Sequence, residues 1–122
     1  MKKIKFKHAV DRFGEWHFVD TEGESAQICD MPFVIHKEFS LSAGEFTKLW
    51  MVSELTTGAR VFGDGKKTRK EAIACATQMI ERRMGIVRQS IQLTMESIRK
   101  QYQAEEENLR MRYPNFAYKN WD

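Results

Sequence analysis

The hydrophobic pattern of this 122-residue chain changes its period once, across the segment GDGKKTRKE from Gly63 to Glu71. Before this segment, apolar and polar residues alternate with the two-residue period of β-strands. After it, apolar residues recur about every 3.6 positions, which is the period of a straight α-helix. The pattern therefore predicts an α+β fold, with an antiparallel sheet followed by a helical part.

The predicted sheet has about five strands within residues 3–62. The first strand, Lys3–Val10, alternates strictly, and its lysines suit the edge of a sheet. A turn through Asp11 to Gly14 predicts that Val10 lies opposite Trp16, which would send His17 to the lysine face. The other expected elements are a second strand containing Trp16 and Phe18, an exposed loop at 21–25, and strands at Phe33–Phe39, Phe46–Leu55 and Ala59–Phe62.

The sequence Thr68-Arg69-Lys70-Glu71 matches a capping box and predicts that a helix begins at Arg69. Its apolar stripe continues to residue 112, either through Gly85 or broken there by a C-terminal cap at this glycine. A continuous helix over 69–112 would be about 66 Å long, which is more than a small sheet can cover. We therefore expect a homodimer or another protein partner, with an interface formed by Val87, Ile91, Met95, Ile98, Tyr102, Phe116 and Trp121.

The length of the chain suits a single domain spanning 1–122, made of a sheet part (1–65), a helical part (66–112) and an aromatic tail (113–122). Cys29 and Cys75 are too few and too far apart for a disulfide framework or a CxxC zinc site, so both are expected to be reduced. The chain has no long apolar run, which predicts a cytoplasmic protein with no membrane partner.

The net charge of +3 conceals a strongly uneven distribution. Residues 1–12 carry five cations and one anion, residues 13–65 three cations and nine anions, and residues 66–112 eleven cations and six anions. A basic surface at the start of a helix favours anions such as the phosphates of nucleic acid. The candidate anion contacts are Lys66, Lys67, Arg69, Lys70, Lys3, Lys5 and Lys7.

The sequence contains no recognisable catalytic constellation. The segment that ends in Lys66-Lys67-Thr68 is not a P-loop, because the first required glycine is replaced by Arg60 and an extra lysine intervenes. His36 on the third strand has no identifiable Ser, Cys or carboxylate partner, and no histidine has metal-ligand spacing. We therefore predict that the protein is not an enzyme and has no cofactor and no metal site.

Trp50, the turn Thr57-Gly58, Arg60 and the helix start at 67–72 resemble the arm-type DNA-binding domains of tyrosine recombinases over about 23 residues. In that family, a three-stranded sheet enters the major groove. The resemblance implies that strand faces of this chain contact DNA bases, whereas Glu45 and Glu54 place negative charge on this sheet.

Two functions follow as hypotheses. The first is a non-enzymatic protein-binding module, an inhibitor or adaptor that associates with itself through the long helix. Small proteins of this kind are frequent among phage and mobile-element accessory proteins that act on host defence or nucleic-acid-handling complexes. The alternative is a nucleic-acid-binding protein that uses the basic segment between sheet and helix, and an enzyme without a recognisable motif ranks third.

Overall fold

The computed structural model describes residues 2–61 and 65–112 of the chain. Four antiparallel strands in the order β1-β2-β3-β4 are followed by two helices, so the α+β prediction is confirmed. The elements are β1 (Lys2–Arg12), β2 (Glu15–Ile28), β3 (Met31–Ser40), β4 (Glu45–Glu54), α1 (Arg69–Arg82) and α2 (Met84–Arg112).

The predicted fifth strand is wrong, because this segment forms only isolated bridges. Arg60 pairs antiparallel with Ser53 of β4, and Ala59 pairs in parallel with Ala9 of β1. The Ala9 amide donates to the Gly58 carbonyl at 2.8 Å, and the Glu54 amide donates to the Ala59 carbonyl at 2.9 Å. Residues 58–61, which we call the closing segment, thus connect the first and last strands at one end of the sheet, and we call this partly closed sheet the barrel.

The predicted register of the first hairpin is wrong by one residue. Val10 lies opposite His17, and the turn contains only two residues, Phe13 and Gly14, whose φ angles are 53° and 79°. Two positive φ values are typical of a type I′ turn, which joins strands without the predicted bulge. Because side chains alternate along a strand, the shift places His17 on the face of His8 and moves Trp16 to the opposite face.

The expected exposed loop at 21–25 is also wrong, because these residues belong to β2. Thr21 is buried, and Gly23 lies opposite His36 of β3. A Cβ atom at Gly23 would lie 2.7 Å from the Ile35 carbonyl oxygen, so only glycine fits this close approach between strands. The polar sequence of the segment reflects its pairing with the lysines of β1.

The helical part consists of two helices rather than one. Thr68 caps α1, and its hydroxyl accepts a hydrogen bond from the Glu71 amide at 3.1 Å, as predicted. The break lies at Arg83 (φ −132°, ψ 40°), and Gly85 falls within the first turn of α2. The core forms where Ala72, Ala76 and Ile80 of α1 pack on β3 and β4, and it also includes Phe33, Ile35, Val52 and Val87.

Candidate functional site

The inner face of the barrel holds a buried polar network centred on His36. The Nδ1 atom of His36 lies 2.7 Å from the Lys37 carbonyl oxygen, and its Nε2 atom lies 2.6 Å from the Ser53 hydroxyl. A carbonyl can only accept, so Nδ1 carries the proton and Nε2 accepts from the Ser53 hydroxyl. His8 donates in the same way from Nδ1 to the Gly58 carbonyl at 2.8 Å.

Both of these histidines are held neutral by their surroundings. The pKa of His36 is lowered to about 4, mainly by burial and also by the neighbouring His8, whereas the hydrogen bond to the Lys37 carbonyl acts in the opposite direction. Burial also lowers the pKa of His8, against the effect of its bond to the Gly58 carbonyl. The two rings lie 4.5 Å apart between centroids, so charging both would place like charges together in the barrel.

Ser53 and His36 have the contact that a nucleophile and its general base require, yet both side chains are completely buried. A cavity of about 510 Å³ is lined by His8, Glu38 and Arg60 but by neither member of the pair. A substrate carbonyl therefore has no path to the Ser53 hydroxyl. This arrangement satisfies buried polar groups, and the prediction that the protein is not an enzyme stays a prediction.

No sequence pattern indicates Ser53 as the partner of His36. The two residues lie on neighbouring strands, where His36 is paired with Met51 and Val34 with Ser53. A diagonal partner two residues away on the same face is within reach of an imidazole ring. Only the register of β3 and β4 brings the two side chains together, and no local motif in the sequence indicates this register.

Glu54, which was expected to place negative charge on the sheet, is a second buried polar group. Its carboxylate accepts hydrogen bonds from the Thr56 amide at 2.7 Å, the Thr57 amide at 2.8 Å and the Thr57 hydroxyl at 2.9 Å. These bonds shape the turn that leads from β4 to the closing segment. Glu54 is only 3% exposed, so it does not form an acidic patch facing a ligand.

Of the predicted anion contacts near α1, Arg69 and Lys66 lie beside Trp50, but none of the four lines the groove next to this residue. The Arg69 guanidinium lies 2.5 Å from the Glu24 carboxylate and 5.8 Å from the centre of the Trp50 ring. Lys66 is held by two backbone hydrogen bonds to Trp50, each of 2.7 Å, whereas the side chains of Lys67 and Lys70 are exposed. This Trp50 groove, of about 330 Å³, is lined by Lys3, Lys5, Glu22, Glu24, Ile35 and Lys37 as well as Trp50.

Three lysines of β1 lie directly opposite acidic residues of β2. The register pairs Lys3 with Glu24, Lys5 with Glu22, and Lys7 with Asp20. Lys7 and Asp20 also form an ion pair between their side chains. Opposite charges at facing positions stabilise a sheet and reduce the positive potential that β1 offers to a phosphate backbone. Lys7 lies outside the Trp50 groove, so the structure groups only some of the predicted contacts.

The predicted interface stripe of α2 faces the sheet of the same chain. Val87 is buried in the core, and Ile91 and Ile98 are half-buried. Tyr102 stacks on Phe18 of β2 with 5.7 Å between ring centroids. Met95 is 38% exposed at the margin of this stripe. The remaining two predicted interface residues, Phe116 and Trp121, lie outside the residues that the structure describes.

Gln101 fixes α2 against the edge of β2. Its side-chain amide accepts from the Trp16 backbone amide at 2.6 Å and donates to the Trp16 carbonyl at 2.8 Å. The Trp16 indole donates to the Ser97 hydroxyl at 2.9 Å. The glutamine thus takes the place of a neighbouring strand. The helix covers part of a sheet edge that would otherwise expose unpaired backbone N–H and C=O groups.

The apolar side chains that remain exposed on α2 lie away from this contact. Ile86 is 62% exposed and Leu93 is 58% exposed. Ile86 also forms one wall of a groove of about 240 Å³ between the end of α1, the closing segment and the start of α2. We call it the elbow groove; it is lined by Glu54, Thr57, Ala59, Arg60, Val61, Met79, Arg83, Ile86, Val87, Ser90, Ile91 and Thr94.

Within residues 2–61 and 65–112, no group of three or more His, Cys, Asp or Glu side chains is placed to hold a metal ion. In the same part of the chain, no helix has the length and apolar character needed to cross a bilayer. Comparison of the chain with protein-family models, curated proteins and solved structures gave no match.

Proposed function

We propose that this chain is a non-enzymatic protein-binding module, an inhibitor or adaptor that also associates with itself through α2. The observation that carries this proposal is the distribution of its side chains. The polar groups that resemble a catalytic pair are sealed in the barrel, whereas apolar side chains line an open groove at the elbow between α1 and α2. Exposed apolar surface bordered by charge is typical of a protein-binding site.

The chemistry of the elbow groove supports an apolar target segment that carries acidic residues. Its floor is formed by the apolar side chains of Val61, Met79 and Ile91, and Arg60 and Arg83 lie among its lining residues. The lining carboxylate of Glu54 is already engaged in three hydrogen bonds. Among its lining residues, the groove therefore combines the exposed Arg83 with no exposed carboxylate, which favours a partner of negative charge.

The experiment is capture of target proteins from the source cell with immobilised wild-type protein and two variants. Met79→Glu places a carboxylate in the elbow groove and should abolish capture. Gln92→Glu introduces the same charge at an exposed position of α2 outside the groove and should leave capture unchanged. A protein that is retained equally by both variants would contradict the assignment of the groove, and the absence of any specific capture would contradict the proposed function.

Nucleic-acid binding is a second candidate, favoured by the convergence of cations at the Trp50 groove. Lys3 and Lys5 from β1 meet Lys37 there, next to an aromatic ring of the kind that stacks on bases. The acidic residues of β2 oppose this function. A target that itself handles nucleic acid, such as a host defence complex met by a phage or mobile-element accessory protein, would reconcile protein binding with nucleic-acid binding.

A gel shift at low salt with single- and double-stranded DNA and RNA tests this candidate. The double variant Lys67→Glu, Lys70→Glu should weaken binding and reduce its salt dependence, since each lost phosphate contact lowers the slope by about 1. Arg99→Glu, an equally exposed change on α2, serves as a control. Failure of the wild-type chain to shift any of these nucleic acids would remove this candidate.

A further inference from the structure

The closing segment forms a wall between two cavities. On one side, Ala59, Arg60 and Val61 line the elbow groove. On the other side, Ala59 and Arg60 line the cavity of about 510 Å³ that His8 also lines. A displacement of this segment would therefore change the shape of the elbow groove and expose the interior of the barrel at the same time.

The segment is held to β1 through the carbonyl oxygen of Gly58. This oxygen accepts a hydrogen bond from the Ala9 amide at 2.8 Å and another from Nδ1 of His8 at 2.8 Å. On the side of β4, the Val61 amide donates to the Val52 carbonyl at 3.1 Å. The segment pairs through isolated bridges and not through a continuous ladder, so it can leave the sheet while the four strands stay paired.

His36 lies directly behind His8 in the barrel. The two ring centroids are 4.5 Å apart, and Nε2 of His36 lies 2.6 Å from the Ser53 hydroxyl. Ser53 is in turn bridged to Arg60 of the closing segment. Because both of these neighbours of His36 contact the closing segment, its departure lets water reach the two imidazoles. In water each ring would regain the ordinary pKa of 6.5, whereas burial lowers the pKa of both in the closed barrel.

We propose that the closing segment is a proton-controlled wall of the elbow groove. It stays on the sheet while His8 and His36 are neutral, and it leaves the sheet when they bind protons. The groove then loses this wall, so a target is held at neutral pH and released in acid. This inference rests on the proposed function and names the regulation of its site. By linkage, a bound target favours the closed segment and keeps both histidines neutral.

The charges around the histidine pair determine the direction of this effect. Burial has the largest influence and lowers the pKa of His8, against the bond to the Gly58 carbonyl. Arg60, on the closing segment itself, also lowers this pKa, whereas Glu38 of β3 raises it. The segment is therefore most stable on the sheet above pH 6.5, and this stability is lost as the pH falls toward 4. The other elements contribute to this face or to the adjoining cavity His17 of β2, Asp11 and Arg12 of β1, and the neutral Ser53 of β4 and Thr94 of α2.

The first test is amide hydrogen exchange of the full chain, followed by NMR from pH 7 to pH 4.5 and corrected for intrinsic exchange rates. Protection of the Ala9 and Val61 amides should fall about 60-fold through His36 alone, because the pKa of this ring is about 4 in the closed form and 6.5 in the open form. His8 adds to this fall, and His36→Gln should reduce it. The amides of Val34 and Ile35, in the middle of the sheet, are the control and should stay more protected at every pH.

Three results of this measurement would overturn the proposal. If Ala9 and Val61 exchange as slowly as Val34 and Ile35, the segment opens only with the whole sheet. If they exchange faster but their protection is constant from pH 7 to pH 4.5, the opening does not expose the histidines. If their protection is still high at pH 4.5, the segment stays on the sheet and cannot release a target.

The second test connects the segment to the target. Proteins captured at pH 7.5 on the immobilised wild-type chain should elute at pH 4.5, and His36→Gln should retain more of them, since residue 36 does not line the elbow groove. Equal elution from the two chains would show that acid acts on the groove contacts directly and would overturn the regulation. Absence of any specific capture would contradict the proposed function, whereas the exchange measurement would still decide whether protons control the closing segment.

Discussion

Acid should destabilise this fold before its carboxylates are extensively protonated, because the barrel holds His36 neutral. The ordinary pKa of histidine is 6.5, and burial lowers that of His36 to about 4. Between these values the unfolded chain binds a proton that the folded chain rejects. The free energy of unfolding is therefore highest above pH 6.5 and falls as the pH decreases toward 4.

The magnitude follows from the interval between the two pKa values. One pH unit corresponds to about 1.4 kcal/mol, so the free energy of unfolding should fall by about 3 kcal/mol between pH 7 and pH 4 from His36 alone. His8 lies beside His36, and its pKa is also lowered, so it contributes in the same direction. Arg60 lowers the pKa of His8, as burial does, whereas Glu38 raises it.

The assay is urea unfolding followed by tryptophan fluorescence at half-unit steps from pH 7.5 to 4. His36→Gln keeps an amide that can bond the Ser53 hydroxyl but cannot titrate. In this variant, most of the fall in the free energy of unfolding between pH 6.5 and 4 should be lost. A wild-type profile that is flat over this interval, or an unchanged profile in His36→Gln, would refute the reasoning.

Four further predictions concern stability and can be checked by urea or thermal unfolding at pH 7.5. Thr68→Ala removes the cap of α1 and should cost about 1 kcal/mol; an unchanged midpoint would show that the cap contributes nothing. Glu54→Gln weakens the acceptor of three hydrogen bonds and should cost about 1–3 kcal/mol, and a smaller loss would mean that water replaces these bonds. Gly58→Ala should be severely destabilising, because φ is 75° and the new Cβ would lie 2.0 Å from the Lys7 carbonyl oxygen. Gly85→Ala meets no atom within 4 Å in a helix and should stabilise the chain by about 0.5–1 kcal/mol, so equal effects of the two alanines would contradict the model.

Features governed by neighbouring residues were predictable from the sequence. The start of α1 depends on Thr68 and the first turn that follows it, and the strands β1, β3 and β4 follow from the alternation of their own side chains. The turn after β1 was missed because Phe13 adopts a positive φ, which is uncommon for a bulky residue. A one-residue error in this turn moved every side chain of the following strand to the wrong face.

Features that depend on distant residues were not predictable. The prediction of a loop at 21–25 was wrong because the partners of this acidic segment, the lysines of β1, lie about 20 residues earlier and the local sequence does not indicate them. Likewise, the contacts of Gln101 with Trp16 join residues 85 positions apart. The candidate anion contacts were predictable from their charge. Which of them contacts Glu24 or Trp50 and which faces solvent depends on the packed structure.

The closing bridge between Ala9 and Ala59 also bears on the order in which the chain folds. The three hairpins join strands that are adjacent in sequence, whereas the bridge unites residues 50 positions apart and carries the largest loop-closure entropy in the sheet. On a ribosome, β1 to β4 can pair before the closing segment emerges, and His36 and Ser53 stay hydrated until it does. Burial of the histidines is therefore expected to follow the pairing of the four strands.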